Sequence, residues 1–514
     1  MGFNKKLAVV TPLLFSSLLV GCIADSNDDK KAEEKSTVIS SVKTLDFSAF
    51  NDQEAALEAK GLRVFGPNAT LAQDLEPEYV TLSKDGKTAW ISLQENNGIA
   101  KVDLVKQKIT DIFGLGFKDH STAGNELDAS DKDGDAFALN TFRNLKGMYQ
   151  PDGIASFEEG GVTYVVSANE GDGREYAGFE EESRVSKLTL GTAAFPDAAA
   201  LQDDSKLGRL KVTKNLSSST AETSFDTLYT FGARSFSIWN GETGKQVFDS
   251  GKDLAVKADA SKVYPDGRSD AKGTEPENIA IGMVAGKRLA FVGLERANAI
   301  AVYDITDIKK VAFKQMLSDA QDIGPEGVLF IAASDSPNGK DLLVISNEIS
   351  ASVTVYQADA AGVFSQAGRV VLTGGEGAAE ISTFDNKTKR LFVVNNGEDL
   401  AAARIEVINF SDPSAPSVES SIDISRYGGG VNSVSVSNGM VAAAIEANTK
   451  TDAGHVVLFD TTTLAYLDKA TVGALPDMLT FSPDGKTIIT ADEGEPNSDY
   501  SIDPKGTVSI IQLK

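Results

Sequence analysis

The sequence predicts an all-β chain folded as a single β-propeller over residues 37–514, and two observations carry that prediction. A unit of three or four short β-rich runs joined by Gly-containing turns recurs along the chain, and from Glu295 onward its copies lie about 50 residues apart. The connections within each copy are hairpin turns and no helical stretches alternate with the strands, so a parallel β-helix or tandem sandwiches fit less well.

The clearest copy runs from Pro325 to Tyr356. Val328 to Ala333 is a short apolar run, residues 336–340 (SPNGK) form a turn, Leu342 to Ser346 is a second run, and Ser352 to Tyr356 alternates as a third. Further copies begin at residues 77, 151, 276, 379, 431 and 476, and a degenerate copy is expected from residue 228, with Arg234 where the others carry Glu. Eight units make eight blades the expected count and seven the fallback. The last copy stops after its third strand at 506–513, so its outer strand is expected from the N-terminal side, from 37–42 or 62–65. Such a closure by N- and C-terminal strands removes free sheet edges.

The chain opens with what reads as an address and an anchor. Lys5 and Lys6 precede an apolar stretch from Leu7 to Val20 that is short for a membrane span, and Leu19-Val-Gly-Cys22 closes it. This is the pattern of a bacterial lipoprotein signal over residues 1–21, with lipidation of Cys22; an ordinary secretory signal with a chance cysteine is the alternative. Ile23 rather than Asp follows, which favours the outer membrane if the host has two. Residues 22–36 are polar and charged and read as a disordered tether. The expected location is the cell envelope, with the membrane as a partner through the lipid anchor. Cys22 is the only cysteine, so the body has neither a disulfide nor a thiolate ligand.

A formal net charge of −25 excludes nucleic acid as a partner and fits either a divalent-cation binder or a very soluble exported protein, expected as a monomer. The acids are placed systematically. One set precedes the first strand of each copy: Glu78, Asp152, Glu277, Glu326, Glu380 and Asp477, with Asn432 in the remaining copy. A second set follows the second strand: Glu95, Glu170, Glu295, Glu348, Glu398, Glu446 and Glu493. In a propeller both positions surround one mouth of the central channel. So many carboxylates need cations or arginines to neutralise them. Arg174, Arg184, Arg234 and Arg296 are near in sequence, which leaves metal binding and a structural salt-bridge collar both open.

A separate acidic loop, DASDKDGD, alternates Asp128, Asp131, Asp133 and Asp135 around Gly134. Oxygen-only donors at this spacing suit calcium, although the loop departs from an EF-hand and needs a further acid such as Glu126. Enzyme signatures are sparse: there is no GxSxG elbow, complete P-loop, HExxH or cysteine pair. His120 and His455 read as packing or loop residues, and the DGK tripeptides at 85–87 and 484–486 read as hairpin turns.

The strings DASDKDG, GMYQPD, SANEGDGREY, FGARSFSIWN, VGLER, PEGVLF, LLVISNE, AAEIS and the C-terminal VGALPDMLTFSPDGKTIITADEGEPNSDYSIDPKGTVSII resemble the choice-of-anchor I family of exported β-propellers. The resemblance covers nearly all of residues 37–514, in a circularly permuted order with AAEIS at 378–382. Relatives are often labelled alkaline phosphatase, and animal relatives are cell-surface glycoproteins associated with calcium carbonate skeletons. The expected function is therefore a lipid-anchored, calcium-binding propeller for surface ion or ligand binding. The alternative is a calcium-dependent, alkaline-phosphatase-like phosphoesterase acting on a phosphate ester. In that case Arg174, Arg184, Arg234 and Arg296 would clamp the phosphate and Glu170, Asp172, Glu277, Glu295, Glu326 and Glu348 would hold calcium.

Overall fold

The computed structural model describes residues 38–134, 137–216, 224–398 and 400–514. The signal, the tether, Cys22 and Asp135 lie outside the described residues. Among the described residues the chain forms seven four-stranded antiparallel sheets, one five-stranded sheet and one two-stranded hairpin.

The first strands of the seven sheets are Val80–Leu82, Ile154–Glu159, Pro276–Val284, Pro325–Ile331, Ser382–Asp385, Val431–Ser437 and Pro476–Phe481. Each touches the next in that order, and Pro476–Phe481 touches Val80–Leu82. This is the arrangement of a β-propeller. The unit read first from the sequence forms the fourth sheet, with strands Pro325–Ile331, Leu342–Asn347, Ser352–Ala358 and Phe364–Val371.

The sheets are held by burial on both faces, which is why their second and third strands are near-continuous apolar runs. Along Arg390–Asn395, Leu391 and Val393 enter the core shared with the fourth sheet, while Phe392 and Val394 enter the core shared with the sixth. Successive side chains of a strand point to opposite faces, so one strand serves two cores. Turns are set by side chains. The Ser83 hydroxyl and Lys87 N–H both donate to Asp85 Oδ1, and the Ser482 hydroxyl and Lys486 N–H repeat the pattern on Asp484, with Gly86 and Gly485 at positive φ. Both DGK tripeptides are thus hairpin turns.

The copy expected from residue 228 does not form a sheet of its own. Ser235–Asn240 pairs onto Val162–Asn169 and Gln246–Asp249 pairs onto Ser235–Asn240, which completes the second sheet. Leu228–Thr230 joins the five-stranded sheet instead, beside Leu145–Met148. The repeat therefore accounts for seven four-stranded sheets, with a separate five-stranded sheet beside them in the chain. The misreading has a physical source: an insertion separates the second and third strands of one sheet, so the third strand looks like the start of another copy.

The outer strand of the seventh sheet is Ile39–Asp46, paired antiparallel with Thr507–Leu513 in the register Leu45↔Val508 and Val42↔Ile511. The first of the two expected segments thus supplies it. Residues 62–65 are not a strand; Leu62 and Arg63 are buried. Removing residues 38–46 uncovers a row of backbone donors and acceptors along Thr507–Leu513. The shortened protein is expected to melt at lower temperature and to self-associate, read by calorimetry and by light scattering.

Candidate metal centre

Five of the first-set acids follow a proline: Glu78, Asp152, Glu277, Glu326 and Asp477. The residue ahead of that proline adopts the left-handed conformation in four of these cases, at Gln150, Glu275, Gly324 and Leu475. The strand register then shifts across Pro276/Ile279, Pro325/Gly327 and Pro476/Leu479, and again across Val431/Ser433. Glu277, Glu326, Asp477 and Asn432 consequently sit in β-bulges. A bulged residue is released from the ladder and its side chain re-aimed.

All seven sheets meet at one cavity of about 180 Å³. Its walls include Glu78, Asp152, Glu277, Glu326, Asn432 and Asp477 from the first set and Glu493 from the second, with Tyr79, Gln94 and Asn278 between them. Among the described residues no lysine or arginine lines it. Glu78 Oε2, Glu277 Oε2 and Asn278 Oδ1 are buried without a hydrogen-bond partner. The sixth first-set acid, Glu380, lines a wider neighbouring basin of about 570 Å³ with Glu348, Glu376, Glu398 and Glu446, where Lys450 is the basic residue.

Crowding of like charges in a dry place sets the protonation of these acids. Burial first, and then the neighbouring Glu95 and Asp152, hold Glu78 well above the usual carboxylate range. Burial also raises Asp152, with Glu170 next, Glu277, with Glu326 next, Glu326, with Glu380 next, and Glu493, with Asp477 next. Glu380 is pushed up to about 8, and Asp477, Glu95 and Glu295 to about 7, each chiefly by burial.

Beside the cavity Glu170, Glu275 and Glu295 bring carboxylate oxygens within 4.8 Å of one another, the one such acid cluster among the described residues. This group is neutralised from within. Lys272 Nζ lies 2.8 Å from Glu170 and 3.2 Å from Asp172, Arg268 donates to Glu275 at 2.7 Å, and Arg296 lies 2.8 Å from Glu295. Glu275, Lys272 and Arg268 were not among the residues expected from the sequence. The signal for Glu275 was its place on the other side of Pro276 from Glu277. Lys272 and Arg268 carried none.

The four arginines expected to converge are instead committed to separate partners. Arg174 is buried and pairs with Asp74 at 2.6 Å and with Glu76 at 2.9 Å. Arg184 pairs with Asp270. Arg234, also buried, donates to the carbonyl oxygens of Asp128, Ser269 and Ala271. Arg296, which pairs with Glu295, and Arg184 are the partly exposed ones of the four. In the acidic loop, Asp131 pairs with Arg209 and Lys132, and the Asp128 carboxylate accepts from Ala138 N–H. Asp128, Asp131 and Asp133 do not gather into a shared-ion cluster. Of the expected ligands, Glu277 and Glu326 meet in the central cavity, Glu348 lies in the wider basin, and Glu170, Asp172 and Glu295 lie in the neutralised group. His120 is buried, its Nδ1 2.7 Å from the Asn125 carbonyl, and burial and then Lys118 push its pKa down to about 3.

Two outcomes follow from these charges. The raised acids hold protons in the folded state that the unfolded chain has lost above its ordinary carboxylate value, so their contribution is complete below about pH 4.5 and disappears as pH rises through 7 to 8. In chelator the melting temperature is expected to fall between about pH 5 and pH 8, measured by thermal unfolding. Arg174→Ala leaves Asp74 and Glu76 buried and unpaired, and a loss of about 3–5 kcal/mol is expected in denaturant unfolding.

A family model of the choice-of-anchor I domain matches residues 23–308 and 380–514. The matched ranges contain Glu78, Asp152, Glu277, Glu380 and Asp477, whereas Glu326 and Glu348 fall in the unmatched 309–379. Gigasin-3a of Magallana gigas is 24% identical over 191 residues, 30% of this chain and 66% of that protein. Mesenchyme-specific cell surface glycoprotein of Strongylocentrotus purpuratus is 27% identical over 324 residues, 52% of this chain and 41% of that protein. The chain thus spans less than two thirds of the length of either relative. Among solved structures, the RRP9 WD40 repeats share 9% identity at a TM-score of 0.45, over 92% of this chain and all of that one.

Proposed function

Because this chain belongs to the choice-of-anchor I family, we propose that it works at the cell surface as a calcium-binding β-propeller, held to the envelope through a lipidated Cys22. The seven sheets are read as seven blades of a closed ring, fastened where Ile39–Asp46 pairs with Thr507–Leu513. The observation that carries the reading is the central cavity: six carboxylates, from Glu78, Asp152, Glu277, Glu326, Asp477 and Glu493, around about 180 Å³ with no basic side chain in its wall.

The donor set fits the ion. Hard oxygens dominate the wall, several of them buried and unpartnered, and calcium accepts six to eight such ligands in flexible geometry. Glu277 and Glu326 stand in bulges on adjacent sheets, so an ion between them would tie neighbouring blades together and relieve the repulsion that otherwise keeps these acids protonated. The phosphoesterase alternative draws no support from the arginines, since Arg174, Arg184 and Arg234 are occupied by carboxylates or carbonyl oxygens.

Calorimetric titration of the chelator-stripped protein with calcium tests the proposal. Binding is expected at neutral pH with a rise in melting temperature, and Glu277→Gln and Glu326→Gln are each expected to weaken it about tenfold or more. The absence of both a binding heat and a melting shift would overturn it. Calcium-dependent cleavage of a chromogenic phosphate monoester, lost in Arg296→Ala, would move the assignment to the phosphoesterase. Acyl-chain labelling that disappears in Cys22→Ser tests the anchor.

A further inference from the structure

The acids beside the cavity differ from those within it in one respect: they surround a cation that belongs to the chain. Glu170, Glu275 and Glu295 present oxygens within 4.8 Å of one another, close enough to share a single ion. Glu275 is fully buried, and its Oε2 has no hydrogen-bond partner. Against this group stands the ammonium of Lys272, 2.8 Å from Glu170 Oε1, 3.2 Å from Asp172 Oδ1 and 3.6 Å from Glu275 Oε2. A lysine ammonium is a compact point charge with three donors, and here three carboxylates surround it. Arg268 lies 2.7 Å from Glu275 Oε1, and Arg296 lies 2.8 Å from Glu295 Oε1 and 3.6 Å from Glu275 Oε2.

We propose that Lys272 is a tethered counter-ion occupying one cation position beside the central cavity, so that it confines divalent ions to the cavity and limits how many the protein binds. A free dication approaching Glu170 and Glu275 meets a positive charge already seated a few ångströms away, in a setting where water screens poorly. The side chain of Lys272 is only 14% exposed, which leaves it little room to swing aside. In the central cavity no such residue competes. Lys272 therefore sets the boundary between the part of the acidic region that balances its own charge and the part that needs ions from solution. The inference rests on the proposed calcium binding and assigns its stoichiometry.

The test is the number of calcium ions bound per chain, by equilibrium dialysis, for the wild type, Lys272→Met and Lys272→Arg. Methionine keeps an unbranched stem and removes the charge; arginine keeps the charge. Lys272→Met is expected to bind about one more calcium than the wild type and to recover in calcium the melting temperature it loses in chelator. Lys272→Arg is expected to keep the wild-type number. A Lys272→Met protein that folds only when calcium is present supports the proposal by the same logic. Equal numbers in Lys272→Met and wild type, with no recovery of melting temperature, overturn it. If Lys272→Met folds in neither condition, Lys272→Gln is judged by the same two readouts. A wild type that binds no calcium while Lys272→Met does would overturn the proposed function and leave the tethered ion standing, so the two readings fail separately.

Discussion

Every repeated sheet in this protein is apolar on both faces, and no such sheet can cover itself. Leu391 and Val393 need a neighbour on one side while Phe392 and Val394 need one on the other. The requirement passes from sheet to sheet until the first strand of the seventh meets that of the first. Burial thus drives the first strands together around a common centre, and anything placed at their starts is concentrated there. The acids beside the prolines are placed at those starts.

Concentrating carboxylates in a dry centre is unfavourable unless positive charge or protons accompany them. Two solutions stand side by side. Glu170, Asp172, Glu275 and Glu295 are met by Lys272, Arg268 and Arg296, and Asp74 and Glu76 by Arg174. Glu78, Asp152, Glu277 and Glu326 have no such partner, and burial together with the charge of neighbouring carboxylates holds their pKa values well above the usual carboxylate range. The arginines that sequence reasoning assigns to an incoming phosphate are spent on this internal balance, because a guanidinium buried next to carboxylates or carbonyl oxygens is satisfied where it lies. The remaining, unbalanced part is the one to which the proposed function assigns calcium.

Much of this was legible before any coordinates. The period of the repeat, the strands around Pro325 and the DGK turns follow from local patterns of apolar residues and turn formers, while the strand that completes the seventh sheet was narrowed to two segments. The positions of Glu78, Asp152, Glu277, Glu326 and Asp477 follow from their place beside a proline and ahead of an apolar run. The copy at residue 228 was misread because apolar alternation says that Ser235–Asn240 is a strand without saying which strand it joins. Its partner, Val162–Asn169, lies across an insertion that carries strands of a different sheet.

By itself the sequence determined the strands, their turns and the acids at the strand starts, since each depends on neighbours a few residues away. Only the tertiary structure decided that seven sheets share the repeat, that Asn278 and Tyr79 join the cavity wall, and that Lys272 reaches Glu170 across 102 residues of chain. Charge balance is a property of distance in space, and the same Lys or Arg reads identically in sequence whether it faces water, a carbonyl or a ring of carboxylates.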